Sequence, residues 1–216
     1  KVVITAGPTR EPIDPVRFIS NHSSGKQGYA IARAAVELGA ETVLVSGPVS
    51  LPIPAGVQMM PVETAQDMLD VCKAEMPADI AIFTAAVADW RVATQSPEKL
   101  KKTASGPPSL TLAENPDILA TLSRGPDRPR IVVGFAAETE NVTENALQKL
   151  KRKGCDLVIA NDVSKDSGVF GGDRNKVHLV SSAGVEHWPE MSKDEVARRL
   201  MEHLCQMLPA LQKAST

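Results

Sequence analysis

One polar loop of this sequence combines residue types that bind anions. Residues 21–28 read NHSSGKQG, and Arg10 and Arg17 precede them. Small hydroxyl side chains and glycines at the start of a helix expose backbone N–H groups to an anion and let it come close. Taken alone, the same residues are more typical of an ordinary capped helix with two surface arginines nearby. The loop is therefore a candidate anion site whose ligand the pattern leaves open.

A second polar loop follows the most apolar stretch of the chain, residues 80–86, which predicts a buried central strand. Asp89 comes shortly after this stretch, where open α/β sheets bind ligands, and its carboxylate could hold Mg²⁺ against phosphates. The lysine-rich run PEKLKK at 97–102 suits a triphosphate, because lysines are point charges on mobile stems. The alternative for this run is a solvated basic loop.

Three later features are compatible with a nucleotide site. Lys149 and Lys153 are four residues apart and share one helical face, although most such pairs simply face solvent. Asn115 is expected to cap a helix that begins at Pro116. Phe135 ends a predicted strand and could either stack on a base or belong to the core. None of these features identifies a nucleotide by itself.

Two familiar nucleotide-binding fingerprints are absent. GxGxxG fails because Gly7 is followed by Pro8 and Thr9, and Walker A fails because Ser20 and Gln27 stand where Gly and Ser or Thr belong. The histidines show no metal-ligand spacing, and no Ser/His/Asp order is evident. Because no covalent nucleophile is obvious, we expect a reaction that depends on positioning and charge neutralisation.

The elements that must position these residues alternate between short β-branched runs and helical patterns. This alternation is typical of βαβ units around a parallel sheet. A chain of 216 residues with 43% hydrophobic content suffices for a single domain over residues 1–216. We predict an α/β fold, a Rossmann-like doubly wound, mostly parallel sheet with an antiparallel C-terminal hairpin. The predicted strands are 2–5, 42–46, 80–86, 131–135 and 157–160, the hairpin is 176–181 with 185–189, and the helices are 24–38, 140–153 and two with N-termini at Thr64 and Ser192.

Capping signals accompany three of these helices. The predicted N-terminal capping residues are Ser23 or Ser24, Thr64 with Asp67, and Ser192 with Glu195. Residues 10–23 and 88–108 resist assignment to any element. Long loops inside a compact domain are usually functional or disordered, so we expect the chemistry there, with a flexible nucleotide-site loop near 88–108.

The composition argues against several classes of protein. A formal net charge of -2 gives no electrostatic reason to expect nucleic-acid binding. The three cysteines are far apart and lack CxxC spacing, which argues against a zinc site or a disulfide framework and favours the reducing cytoplasm. No apolar run approaches the roughly 20 residues that a membrane span needs. The chain also opens on a strand-like run, which does not read as a signal peptide.

The residue identities and the order of seven segments identify a protein family more specifically than any single motif does. The segments are ITAGPTREPIDPVRFISNHSSGKQG at 4–28, VSGPVSLP at 45–52, AAVADWR at 85–91, PEKLKK at 97–102, NPDIL at 115–119, VGFAAET at 133–139 and LVIANDVS at 157–164. From beginning to end the chain thereby resembles the bacterial phosphopantothenoylcysteine synthetases. The resemblance implies a ligase of coenzyme A biosynthesis. In it, CTP activates 4′-phosphopantothenate as an acyl-cytidylate with release of pyrophosphate, and cysteine then displaces CMP to form the amide.

The same resemblance implies roles for individual residues. Asn21 and Ala86 match positions that bind phosphopantothenate, and Asn21 also holds the acyl intermediate. Arg17 matches an arginine of the second step, and Lys99 a lysine that meets the triphosphate in the first step. Asp89 matches a carboxylate associated with the nucleotide and with Mg²⁺. The remaining CTP contacts correspond to Phe83, Thr84, Ala85, Pro116, Asp117, Ile118, Leu119, Phe135, Lys149 and Lys153.

The resemblance also implies partners. We expect a homodimer, because the Asn21 loop lies near a partner subunit in this family, and a mobile flap formed by the lysine loop. In many bacteria this domain is the C-terminal half of a bifunctional protein with an N-terminal flavin-dependent decarboxylase, and the abrupt start at Lys1 agrees with such a half. Flavin is not implied for this part.

Departures from the family pattern are modest. Glu114 stands where many relatives have lysine, Trp90 replaces a common tyrosine, and residues 171–174 are a looser version of a glycine- and asparagine-rich segment. The main alternative is an NAD(P)-dependent Rossmann oxidoreductase. The missing GxGxxG counts against it, as does Arg33, which stands where Tyr29 would need a lysine. A third possibility is a non-catalytic module that would bind CTP without releasing pyrophosphate.

Overall fold

The computed structural model describes residues 1–101, 106–138, 140–162 and 172–214. Residues 102–105 of the lysine loop, and residues 139, 163, 164 and 171 of the segments quoted above, lie outside these ranges. The strands are β1 Val2–Ala6, β2 Arg10–Pro12, β3 Phe18–Ser20, β4 Thr42–Ser46, β5 Gln58–Pro61, β6 Ile80–Phe83, β7 Trp90–Val92, β8 Leu112–Glu114, β9 Ile131–Glu138, β10 Leu157–Asp162, β11 Arg174–Asn175, β12 Val177–Ser181, β13 Gly184–His187 and β14 Met191–Ser192. The helices are α1 Lys26–Glu37, α2 Ala65–Ala74, α3 Ile118–Arg124, α4 Val142–Lys153 and α5 Lys193–Ala214.

Eight strands form one sheet in the order β13-β12-β10-β9-β6-β1-β4-β5. Within this sheet the six strands β10, β9, β6, β1, β4 and β5 pair in parallel with their neighbours. Strand β12 pairs antiparallel with both β10 and β13. The predicted doubly wound, mostly parallel sheet with an antiparallel C-terminal hairpin is confirmed. The predicted central position of β6 is also confirmed, since β6 lies between β9 and β1 and all four of its residues are buried.

Helices cover both faces of the sheet because the strands are apolar on both sides. Ile31 of α1 and Leu200 of α5 pack on one face, and Met68 of α2, Leu122 of α3 and Ala146 of α4 pack on the other. With both faces covered, the exposed ends of the strands are left as the place where a ligand can reach the sheet.

Two of the predicted helix starts are confirmed. In α2, the Thr64 hydroxyl accepts from the Asp67 N–H at 3.1 Å, and the Asp67 carboxylate accepts from the Thr64 N–H at 3.0 Å. In α5, the Glu195 carboxylate accepts from the Ser192 N–H at 2.7 Å, and the Ser192 hydroxyl accepts from the Glu195 N–H. These reciprocal bonds satisfy backbone donors that a helix cannot pair by itself.

The predicted caps of two other helices are wrong. Gly25, with φ of 72°, precedes α1, and no side chain caps that helix; the Ser23 hydroxyl instead accepts from the Gly25 N–H. The cap of α3 is Asp117, whose side chain accepts from the Ala120 N–H at 3.0 Å. Asn115 is engaged elsewhere, because its side chain donates to the Ala88 carbonyl at 2.8 Å.

Short strands occupy both loops that resisted assignment. β2 and β3 form a hairpin within residues 10–23, and β7 pairs with β8 around the lysine loop. At three residues each, these strands are too short to produce a recognisable alternation. The edge strand β5 has four residues, QMMP, which also show no alternation, and it was not predicted. No helix in the described ranges combines the length and the apolar character that a membrane span requires.

Gly28 sets how closely α1 approaches the sheet. A Cβ atom at Gly28 would lie 2.5 Å from the Ala6 Cβ and 2.6 Å from the Thr84 Oγ1. In an unpacked helix, Gly→Ala stabilises by about 1 kcal/mol, but overpacking costs about 1–3 kcal/mol. We expect Gly28→Ala to destabilise the protein in urea unfolding, whereas Glu37→Ala on the exposed side of α1 should change little. A stabilised Gly28→Ala variant would contradict this close packing.

Candidate functional site

Two adjoining cavities open at the carboxyl ends of the parallel strands. The first cavity has a volume of about 470 Å³ and is lined mainly by the segment after β6 and the segment before α3, with further residues from α3, α4 and β9. Phe135 contributes from within β9, which continues to Glu138, so the prediction that it ends a strand was wrong. The second, of about 550 Å³, lies against the loop before α1 and the start of α5. Both are of the size of small-molecule sites. The two cavities adjoin, because Ala85, Val87, Asp89, Phe135 and Lys149 line both of them, and together they are called the cleft.

The floor of the cleft is a continuation of the pairing between β1 and β6. The Thr84 N–H and hydroxyl both donate to the Thr5 carbonyl, at 3.2 and 2.6 Å, and the Ala86 N–H donates to the Gly7 carbonyl at 2.9 Å. The Thr9 hydroxyl accepts from the Ala88 N–H at 3.0 Å. The backbone at Ala86 is therefore fixed beyond the end of the strand, and its small side chain leaves room for a ligand.

Asn21 lies on the wall of the second cavity and is held by this floor. Its amide nitrogen donates to the Val87 carbonyl at 3.0 Å and to the Ala86 carbonyl at 3.4 Å. The orientation of an exposed side chain is thus determined by backbone from another loop. The structure brings together the two positions that the resemblance assigns to phosphopantothenate.

The first cavity has an apolar wall and a cationic one. Phe83, Ile118 and Leu119 are buried beside it, and Pro116 and Phe135 are half-buried. Ten of the residues that the resemblance assigns to the nucleotide line this cavity, namely Phe83, Ala85, Asp89, Pro116, Asp117, Ile118, Leu119, Phe135, Lys149 and Lys153. Thr84 lines the second cavity.

The two lysines of α4 occupy the cationic wall. Lys149 donates to the Phe135 carbonyl at 2.6 Å, and Lys153 forms an ion pair with Asp117, the cap of α3. Burial lowers the pKa of Lys149, and the neighbouring Lys153 ammonium lowers it further. An anion bound between these lysines would offset both effects. The shared helical face predicted from their spacing is therefore turned toward the cavity.

Asp89 is exposed and opens onto both cavities. Within the described ranges, no group of three or more His, Cys, Asp or Glu side chains is arranged to hold a metal. Mg²⁺ does not need such a cage, since it is commonly bound by one or two carboxylates together with substrate phosphates. The position of Asp89 fits a metal that arrives with a phosphorylated ligand.

Arg17 and Lys99 line neither cavity. The Arg17 guanidinium donates to the buried Asp14 carboxylate and to the Leu100 carbonyl, and the Leu100 N–H also donates to Asp14, at 3.1 Å. Lys99 is exposed next to this connection. Asp14 therefore joins the turn that carries Arg17 to the loop that carries Lys99.

Sequence reasoning missed Asp14, although one signal was available. Asp14 precedes a proline, and its carboxylate accepts from the N–H groups of Val16 and Arg17, both at 2.9 Å. This arrangement is typical of aspartate turns. The Arg17 guanidinium, together with these backbone donors, holds the pKa of Asp14 well below its usual range.

Asn161, Asn175 and Lys193 also line the second cavity, although no role was predicted for them, and they lie there with Lys26 of the predicted anion-binding loop. Lys26 and Lys193 are the first residues of α1 and α5, so the packing of these two helices brings them to the same cavity. Nothing in the local sequence predicts that two residues so far apart meet.

A family model described as "DNA/pantothenate metabolism flavoprotein C-terminal domain" matches residues 1–208. The chain belongs to this family. The bifunctional coenzyme A biosynthesis protein CoaBC of Escherichia coli is 49% identical over 206 residues, which cover 94% of this chain and 51% of that protein. The Bacillus subtilis CoaBC is 46% identical over 206 residues, with 94% and 50% coverage. The chain thus spans about half the length of the curated relatives it matches.

Solved structures agree with this membership in the pantothenate metabolism family. The crystal structure of a CoaBC C-terminal domain is 43% identical and has a TM-score of 0.81, and the match covers 97% of this chain and 95% of that domain. The DNA/pantothenate metabolism flavoprotein of Streptococcus pneumoniae is 21% identical with a TM-score of 0.81, covering 96% of this chain and 99% of that one. Cab2 in complex with phosphopantothenate-cysteine is 18% identical with a TM-score of 0.76, covering 99% and 88%. At these lower identities the likeness concerns the fold alone. The Rossmann oxidoreductase is not favoured by any of these findings.

We expect Asp14→Asn to loosen the lysine loop. Trypsin should cleave after Lys99 and Lys101 several-fold faster than in the unmodified protein, because the variant weakens the bonds to Arg17 and Leu100. Digestion followed by mass spectrometry measures this rate, with Asp70→Asn, an exposed acid of α2, as the matched control. Equal cleavage rates in both variants would show that Asp14 does not hold the loop.

The pKa of Asp14 gives this prediction a pH dependence. Its folded pKa is lower than that of an unfolded aspartate, about 3.9. The stability that it contributes is therefore fully present above the unfolded pKa and is lost as the pH falls through the folded pKa. In urea unfolding, the difference between Asp14→Asn and the unmodified protein should shrink as the pH is lowered below about 4.

Proposed function

We propose that this chain is a phosphopantothenate–cysteine ligase of coenzyme A biosynthesis, working with CTP. The single observation that carries the proposal is the pair of adjoining cavities, in which an apolar cavity with two lysines in its wall lies directly beside a second, polar cavity. Two reactants can meet only where these cavities share their wall. Membership of the pantothenate metabolism family and the names of the CoaBC relatives support the choice of substrates.

The chemistry requires two steps. A carboxylate does not react with an amine until one of its oxygens becomes part of a good leaving group. In the first step the 4′-phosphopantothenate carboxylate attacks the α-phosphate of CTP, a P–O bond forms, and pyrophosphate leaves. In the second step the cysteine amine attacks the acyl carbon of this anhydride, CMP leaves, and the amine loses a proton to solvent. Orientation and charge neutralisation supply the catalysis.

CTP is proposed to occupy the first cavity. Phe135 and the apolar wall suit a base, and Lys149 and Lys153 suit the phosphates, because both lysines line the cavity and are held there by the Phe135 carbonyl and the Asp117 carboxylate. Mg²⁺ would be held by Asp89 together with triphosphate oxygens and would neutralise part of the phosphate charge.

Phosphopantothenate is proposed to occupy the second cavity, with its carboxylate toward the shared wall. Asn21 and Ala86 lie beside this wall and would position the carboxylate and later the acyl group. Lys99 would meet the triphosphate in the first step, and Arg17 would serve the second. The loop that carries Lys99 has to move for this, since Lys99 lines neither cavity in the described arrangement.

A homodimer is supported by an exposed apolar surface on the two small hairpins. Val16 and Phe18 beside the first hairpin, and Trp90 and Leu112 on the second, are each 48–60% exposed. Large apolar side chains clustered at the surface commonly mark interfaces between proteins. The bifunctional relatives, of which this chain covers about half, support the proposed fusion to an N-terminal decarboxylase. A biosynthetic role in the cytoplasm is consistent with the proposed dimer and with the proposed fusion.

A pyrophosphate-release assay tests the proposed function. We expect release to require both phosphopantothenate and CTP, to exceed release with ATP, and to become catalytic only when cysteine is added. Nucleotide without phosphopantothenate is the control. CTP binding in calorimetry without any release of pyrophosphate would favour a non-catalytic module instead.

The Lys99→Gln variant tests the role of the lysine loop separately from that of Lys149 and Lys153. We expect the rate of pyrophosphate release to fall roughly 100-fold, as for the loss of one charge-stabilising group in an active site, with an unchanged melting temperature because Lys99 is exposed. Lys101→Gln, two residues further along the loop, is the matched control. Near-normal release by Lys99→Gln would remove Lys99 from the mechanism.

A further inference from the structure

Asn115 does not cap a helix, and its polar groups contact the wall of the first cavity instead. It follows β8 and lines this cavity together with Ala88 and Asp89. Its backbone N–H donates to the Asp89 carbonyl at 2.9 Å, and its side-chain amide nitrogen donates to the Ala88 carbonyl at 2.8 Å. Asn115 therefore binds the segment that carries Asp89 through two separate hydrogen bonds.

These two bonds hold Asp89 from both sides. The Ala88 carbonyl belongs to the peptide group before the Asp89 Cα atom, and the Asp89 carbonyl belongs to the peptide group after it. Because each residue has only two soft backbone dihedrals, holding both flanking peptide groups restricts φ and ψ and so sets the direction of the Cα–Cβ bond. The Ala88 N–H also donates to the Thr9 hydroxyl at 3.0 Å, which ties this segment to the chain that follows β1.

The Asn115 side chain is itself fixed at both ends. Its Oδ1 atom accepts from the Arg91 guanidinium at 3.3 Å while its Nδ2 atom donates to Ala88, so the arrangement needs both the acceptor and the donor of one amide. Asn115 also precedes Pro116, and the residue before a proline is largely confined to extended conformations. The Asn115 brace, meaning this residue with its bonds to residues 88, 89 and 91, is therefore stiff.

Hairpin pairing alone does not require this brace. Strands β7 and β8 pair antiparallel, and the backbone bond from Asn115 to Asp89 extends that pairing by one residue. The side-chain bond to Ala88 lies beyond the pairing of the strands. Removing the side chain therefore leaves the backbone pairing intact and releases only the peptide group before Asp89.

The Asp89 carboxylate depends on its backbone for its direction. Asp89 is exposed and lines both cavities, and within the described part of the chain no residue forms a hydrogen bond or an ion pair with its side chain. Mg²⁺ demands a near-ideal octahedral arrangement of its ligands. A carboxylate that meets such a cation therefore gains from being directed before the cation arrives.

We propose that Asn115 is a positioning residue for Asp89. By holding the peptide groups on both sides of Asp89, the Asn115 brace keeps that carboxylate directed into the cleft, where it meets the divalent cation of an incoming nucleotide. The cation and the nucleotide rest on the proposed function, whereas the positioning rests on the contacts of Asn115 alone.

Calorimetry with CTP tests this role, first in EDTA and then with saturating Mn²⁺, which prefers the same oxygen ligands as Mg²⁺. The Kd in EDTA divided by the Kd in Mn²⁺ measures how far the cation strengthens binding. Asn115→Ala should lower this ratio roughly 10-fold, because residues that orient metal ligands contribute about that much to metal affinity. Binding in EDTA should stay unchanged. Gln66→Ala, which removes an exposed amide of α2, is the matched control and should change neither Kd.

A double variant distinguishes action through Asp89 from a direct contact with the ligand. In an Asp89→Asn background, Asn115→Ala should cause no further loss, because the group that it positions is already gone. An additive loss in the double variant would overturn the proposal. An equal loss of CTP binding in EDTA and in Mn²⁺ would also overturn it, since a merely structural role affects both conditions alike.

Failure of the proposed function is seen separately, as the absence of CTP binding by the unmodified protein. A crystal structure of Asn115→Ala then tests the positioning alone: a changed direction of the Asp89 Cα–Cβ bond supports it, and an unchanged direction overturns it. If Asn115→Ala does not fold, Asn115→Ser carries the same comparisons, because its side chain is too short to reach the Ala88 carbonyl.

Discussion

The parallel pairing of β1 with β6 is the interaction on which the site depends. Within the sheet it buries apolar side chains on both faces, and beyond the sheet it continues as bonds between the Thr5, Gly7 and Thr9 positions and the segment after Phe83. Strands normally diverge once their pairing ends. Here the two segments remain hydrogen-bonded for several more residues, so the wall shared by the two cavities is fixed to the core of the sheet. The Asn21 amide is then oriented by carbonyl groups of that wall.

Charge is distributed around this rigid wall according to how firmly each lysine is held. Lys149 and Lys193 are part-buried, and the pKa of each is lowered by burial and by a second lysine. Lys99, in contrast, is exposed on a loop. Fixed, partly desolvated cations select an anion when it binds, because water does not screen them fully. A cation on a loop can follow charge that moves during a reaction. The proposed ligase chemistry needs both kinds.

The sequence predicts the elements whose signals are local and strong. The buried runs of β1 and β6 are continuous and apolar, and the capping boxes at Thr64 and Ser192 use partners only three residues away. It predicts less well where several partners compete for one polar group. Asn115 looks like a helix cap, yet the carbonyl of Ala88, 27 residues earlier, takes its side chain. Lys193 reads as an ordinary helix start, and only the packing of α5 on α1 brings it to the cavity. The residues proposed to bind the nucleotide were predicted from the family resemblance, because the order of its motifs carries long-range information that periodicity lacks.

The two oxygens of Asp14 bind two different loops, and the proposed mechanism uses these loops in different steps. Oδ1 accepts from the N–H groups of Val16 and Arg17, which keeps the turn closed. Oδ2 accepts from the Arg17 guanidinium and from the Leu100 N–H. If the lysine loop leaves to reach a triphosphate, the two bonds that Leu100 forms with Asp14 and Arg17 must break, whereas the ion pair between Arg17 and Asp14 can persist. In the proposed mechanism, the carboxylate can therefore release the loop of Lys99 for the first step while Arg17 stays anchored for the second. A single buried acid would then link two residues that are proposed to act at different times.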